Sequence, residues 1–142
     1  MTLPLVETLL TDLPIGWRVT DVYMGANWVL SLVRSHDGIQ AAGVAAAPHS
    51  IAPDARFQSG HHALDVPAES LAYGLRSSDM TEAAVGLATV NALTPINESR
   101  LSSDDAANWL TEQSAGKSVA IFGRFPFIED EIRPFARQVW VF

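Results

Sequence analysis

The sequence predicts an α+β fold: an N-terminal helix, a three-stranded antiparallel meander and further helices over residues 1–114, then the first βαβ unit of an α/β domain over 115–142. Three observations carry this. Ser35-His36-Asp37-Gly38 separates two runs of β-formers, and Asp-Gly in that place is the strongest short-range sign of an antiparallel hairpin. Met80–Leu93 is a run of small and apolar residues introduced by Asp79, with Glu82 three positions on, close to a capping box. Ser118–Phe122 and Val139–Phe142 are short apolar runs separated by Gly123 and by Ile128–Arg137, a segment of helical composition. Strand, helix, strand in that order opens a parallel unit, whose strands need a crossover between them.

In chain order, Thr2 is placed to cap a helix with Pro4 in its first turn, and Leu5, Val6, Leu9, Leu10 and Leu13 fall on one face of it. Leu13-Pro14-Ile15-Gly16 ends that helix, because proline disfavours helix at the residue before it. Trp17–Met24, Asn27–Ser35 and Ile39–Ala47 read as three strands. The third is mostly alanine with Gly43 in its middle, which implies close approach of another backbone or a ligand. Residues 48–67 hold three prolines and a glycine and read as a long loop. Pro67 starts a short helix that Gly74 stops, and the small-residue helix to Leu93 is suited to tight packing. A further helix is expected from Ser103, with Asp104 and Asp105 in its first turn and Trp109 and Leu110 as core contacts, ending near Gly116.

Composition narrows the function classes. The formal net charge of −7 and a single lysine, Lys117, argue against nucleic acid or an anionic membrane as partner. There is no cysteine, so disulfides and thiolate metal sites are excluded. Met1–Leu13 has no basic leader, and no apolar run approaches the roughly 20 residues of a membrane span, which makes a cytoplasmic protein the expectation.

The turn Gly123-Arg124-Phe125-Pro126-Phe127 follows a parallel strand, the place where open α/β sheets hold ligands. A dinucleotide site would need more glycines, and Glu129-Asp130-Glu131 at the next helix start would repel phosphate. Adjacent His61 and His62 lack the helical i, i+4 spacing of a metalloprotease pair, although His61 with Asp65 could share a metal if that segment were helical. Asn91 falls among apolar neighbours and must bond either backbone or ligand. Trp28 reads as a core residue or a ligand platform, and no Gly-x-Ser-x-Gly elbow is present.

Gly25-Ala26-Asn27-Trp28-Val29, Ala42-Gly43-Val44-Ala45, Ser78 through Leu93 and Gly116 through Phe127 together resemble the heavy-metal-chelation family of uncharacterised prokaryotic proteins. The resemblance implies an enolase-N-terminal-like domain over 1–114 followed by the start of a Rossmann-like domain over 115–142, incomplete at Phe142. It also implies a small-molecule or metal-complex site in the cleft between the two, with a divalent or heavy metal as candidate cofactor. The residues it places at that site are Trp28, Asp79, Glu82, Asn91, Gly123, Arg124, Phe125 and Pro126. Asp79 stands where the family pattern leads one to expect Asn. No substrate, metal or reaction follows from these residues. The alternative reading is a non-catalytic module that forms a homodimer through the apolar strand Val139–Phe142.

Overall fold

The computed structural model describes residues 4–51, 54–123 and 125–142. The expected Thr2 cap therefore lies outside the described residues. The chain forms two compact units, a first ending at Ile96 and a second running Asn97–Phe142.

In the first unit, α1 (Pro4–Leu10) leads into β1 (Arg18–Met24), β2 (Trp28–Arg34) and β3 (Gln40–Ala46), the antiparallel meander read from the sequence. Gly38, at φ +90°, closes the β2–β3 hairpin, where Ser35 N donates to Ile39 O at 2.8 Å. The segment read as a single loop over 48–67 is corrected in its second part. Gly60–Pro67 is β4, antiparallel to β1, so the sheet has four strands in the order β3-β2-β1-β4. Its residues alternate exposed and partly buried from Ala63 onwards, but adjacent histidines and flanking Gly and Pro hide that period of two in the sequence.

After α2 (Ala68–Ala72) and a 3₁₀ turn (Tyr73–Arg76), α3 (Met80–Leu93) packs on one face of the sheet. Val19, Val22, Met24, Val29, Val33 and Ala45 line that face, and a register shift at Thr20 lets Val19 and Val22 both point inward. The contact is backbone-close. A Cβ on Gly43 would sit 2.1 Å from Ala88 O and 2.2 Å from Ala92 N. On the other side of α3, a Cβ on Gly86 would sit 2.3 Å from Leu75 N. Within the contact, the buried Thr89 hydroxyl donates to Val85 O (2.9 Å) and so accepts from the Ser31 hydroxyl (3.0 Å).

Trp28, expected as core, is 62% exposed, because the face of β2 that it shares with Leu30 and Leu32 is turned away from α3.

The second unit contains α4 (Ala106–Ser114), β5 (Ser118–Ile121), a single π-type turn (Ile128–Ile132) and β6 (Gln138–Val141), with β5 and β6 parallel and in register. α4 starts three residues later than expected, capped by Asp105, which accepts from Ala107 N and Asn108 N. It packs against the 128–132 turn, so it groups with the second unit although the sequence boundary falls after residue 114. Trp109 and Leu110 are exposed, contrary to their expected core role. The helix read over Ile128–Arg137 shrinks to one turn, since Pro134 cannot donate a helical hydrogen bond.

Alanine at Gly43 must displace backbone on α3 and lowers the free energy of unfolding by about 3 kcal/mol, the upper end of overpacking costs. Alanine at Gly38, with nothing within 4 Å, costs only the left-handed backbone penalty of about 1–2 kcal/mol. Urea unfolding midpoints of the two variants check the order. Thr89→Val orphans the Ser31 hydroxyl and costs about 1–3 kcal/mol, while adding Ser31→Ala recovers much of that loss. A double-mutant cycle in urea reads the coupling.

Candidate functional site

The start of α3 is held by the side chains that the sequence marks. Asp79 Oδ1 accepts from Thr81 N (2.8 Å) and Glu82 N (3.0 Å), and Asp79 N donates to Ser77 Oγ (3.1 Å). Ser77 Oγ in turn donates to Glu82 Oε2 at 2.8 Å. Glu82 thus reaches the loop before the cap rather than the cap's own N–H, a variant of the capping box. It also lines a recess of about 280 Å³ with Arg56, Ser70 and Tyr73 over Phe57, Leu71 and Val85.

Asn91 is exposed rather than set among apolar neighbours. Its Nδ2 donates to Val44 O at 2.8 Å, which ties α3 to the edge strand β3. Twelve residues of helix place it about 18 Å along α3 from Asp79. Trp28 lies on the opposite face of the sheet. These four residues therefore occupy three separate places in the first unit.

In the second unit, Gly123 leaves β5 at φ +110°, a conformation that favours glycine, and its N donates to Phe142 O at 3.0 Å. Phe142 N donates back to Ile121 O at 2.9 Å. The corner beyond Gly123 brings Phe125 and Pro126 into the lining of an open recess of about 600 Å³, with Glu129, Arg133, Val141 and Phe142 around it. Arg124 lies outside the described residues. The recess sits beyond the carboxyl ends of both parallel strands, where α/β sheets place ligands. Of its polar members, Arg133 was not singled out in the sequence, and Glu129 was read only as one of three acids. Arg133 pairs with Glu129 at 2.6 Å, and its hydrogen bond holds the Glu129 carboxyl below the usual range. Their i, i+4 spacing was the available signal. One of the three carboxylates counted against an anion is therefore already neutralised.

The family resemblance raises a metal, and the donor set can be tested against it. The chain has no cysteine, and among the described residues no three His, Asp or Glu side chains gather at one point. His61 and Asp65 do not pair, because their segment is a strand. His61 Nε2 lies 2.6 Å from Asp21 Oδ1 with its ring stacked on Tyr23 at 4.5 Å, while Asp65 pairs with Arg18. His62 Nε2 lies 2.7 Å from Gln58 O. A two-donor pair such as Asp21 and His61 does not fit a resident metal centre.

Asp79→Ala removes both cap bonds and costs about 1 kcal/mol, whereas Asp79→Asn retains most of the stability; thermal unfolding distinguishes them. His61, and after it Thr20, hold the Asp21 carboxyl below its ordinary value of 3.8. A depressed folded value adds stability above the unfolded value, and that stability is lost as pH falls through the folded value. His61→Ala moves the Asp21 titration midpoint back up towards 3.8, which carboxyl carbon NMR measures.

Comparison with known proteins bears on the same elements. Among curated proteins none matches. The chain is similar to a solved protein of unknown function of the DUF364 family from Pyrococcus horikoshii, at 19% identity and a TM-score of 0.71 over 96% of this chain and 53% of that one. It is also similar to a DUF364-family protein of unknown function from Desulfitobacterium hafniense, at 18% identity and a TM-score of 0.69 over 96% of this chain and 55% of that one. At these identities the likeness shows the fold, and the chain spans about half the length of the structures it matches. The sequence model of the DUF4213 family, whose description is "Putative heavy-metal chelation", matches residues 6–94, which include β1 to β4 and all of α3. That is more than half of the chain, and the protein belongs to this family.

Proposed function

We propose that this chain is a small-molecule or metal-complex binding protein of enolase-N-terminal-like plus Rossmann-like type, acting in heavy-metal chelation in the cytoplasm. The observation that supports it most is the corner after Gly123. It gives the second unit a recess of about 600 Å³ beyond the carboxyl ends of two parallel strands. That volume suits a small organic ligand, and the mixture of aromatic walls with one charged pair is the usual composition of such sites. Phe125 and Phe142 offer flat apolar surface, and Arg133 offers donors that turn towards an acceptor once Glu129 releases them. The family description supports the metal. The donor set favours a metal that arrives with organic ligands of its own over one held by protein side chains alone. Asp79, Glu82 and Asn91 serve the first unit by holding α3 in place.

Calorimetric titration tests it. Zn²⁺ or Ni²⁺ preloaded on citrate is expected to bind the chain more tightly than either bare ion, and Phe125→Ala is expected to weaken that binding about tenfold or more. Absence of saturable binding for both forms of both metals at millimolar concentration overturns the chelation role.

A second reading has its own support. Trp140 and Phe142, on and beside β6, are 43% and 71% exposed, although parallel strands are ordinarily covered on both faces. A second copy pairing along β6 would cover them and form a symmetric dimer. Sedimentation is expected to show a concentration-dependent dimer that Trp140→Arg abolishes, and a monomer at all concentrations rules it out.

A further inference from the structure

We infer that the recess beside the start of α3 binds the zwitterionic head of a free α-amino acid. Its lining includes both signs of charge, Arg56 and Glu82, and among the described residues no ion pair joins the two. Each is positioned by a separate neighbour. The Arg56 guanidinium lies over the Phe57 ring at 5.3 Å, and Glu82 is fixed through one carboxylate oxygen by the Ser77 hydroxyl. The ring of Tyr73, another lining residue, is flanked by the Arg76 guanidinium at 4.9 Å.

Charge decides the ligand class. A phosphate or simple carboxylate drawn by Arg56 meets Glu82, and a bare cation drawn by Glu82 meets Arg56. A ligand that carries both signs about one carbon apart satisfies both. A guanidinium takes a carboxylate through two parallel hydrogen bonds, and a carboxylate takes an ammonium by a charge-assisted one. Ser70 and Tyr73, also in the lining, each carry a hydroxyl able to donate to or accept from such a head group. Size decides the rest. At about 280 Å³ the recess lies at or just below the small end of ligand pockets, which admits a single amino acid and excludes a nucleotide or folded peptide. Phe57, Leu71 and Val85 lie beneath it and are almost wholly buried, so the charged head group rather than the side chain carries the recognition.

This inference goes beyond the second-unit reading and does not rest on it. Metal-complex titrations report on Phe125, and amino-acid titrations report on Arg56 and Glu82. The probe is L-methionine, titrated into the intact chain and followed by calorimetry and by amide NMR shifts. Saturable binding is expected, with the N-acetyl and methyl-ester forms each at least about tenfold weaker, because each lacks one charge of the head. Arg56→Gln and Glu82→Gln are expected to lose about tenfold each, with unchanged circular dichroism. The inference is overturned if L-methionine does not saturate at millimolar concentration, or if both blocked forms bind as well as the parent. Unchanged binding in both variants overturns it equally. Since the blocked forms act on the unaltered protein, the outcome does not depend on either variant folding.

Discussion

The first unit depends on how closely the α3 backbone lies to what surrounds it. With Gly43 beneath it and Gly86 against the Tyr73–Arg76 turn, α3 sits nearer to both than helices carrying ordinary side chains could. Close approach has a thermodynamic logic. Alanines and glycines bring little side-chain entropy to lose, and their small surfaces let many backbone atoms come into dispersion contact at once. It also explains why α3 is apolar around most of its circumference, since α2, the 3₁₀ turn and the sheet each cover a side. The Ser31 to Thr89 to Val85 hydroxyl chain becomes possible only at this distance, and it leaves no side-chain polar atom stranded among the described buried residues.

How much of this was legible in the sequence depends on whether the cause was local. Asp79 with Glu82, and Asp37 with Gly38, act through atoms a few residues away, so spacing alone located the helix start and the hairpin. Gly43 was legible in a weaker sense. A glycine in an alanine strand announces that something approaches, and only the fold says that it is α3. β4 was missed because a strand is defined by its partner, and the pairing of β1 with β4 spans about forty residues of chain that carry no mark of it. Trp28, Trp109 and Leu110 were misread for another reason: hydrophobicity says that a side chain prefers burial, and not which face the neighbouring elements leave uncovered.

The two candidate recesses show the same division. Glu82 was found through the grammar of helix caps, whereas Arg56, Ser70 and Tyr73 reach the same recess from a loop, a short helix and a 3₁₀ turn with no common spacing. Glu129 and Arg133 did have a spacing, but it is masked by the run of three acids in Glu129-Asp130-Glu131, which dominates the local net charge. Charge counted along a sequence is a poor guide to charge presented in space. A guanidinium one helical turn away neutralises a carboxylate that composition scores as free.

The same reasoning separates the two demands placed on the second unit. A ligand in the recess uses the carboxyl ends of β5 and β6, where Phe125, Pro126 and Phe142 gather. A strand that added to β6 would use its open edge and the backbone groups of Gln138–Val141. Phe142 belongs to both, because its backbone ties Gly123 and Ile121 while its ring stacks on Phe122 at 5.2 Å. A partner that covers Phe142 would also close over the recess that Phe142 and Val141 line, so ligand and partner compete for that end of β6. The backbone pairing through Gly123 and Phe142 is thus the element that both readings require intact, and the positive φ at Gly123 is what makes that pairing reachable for the chain leaving β5.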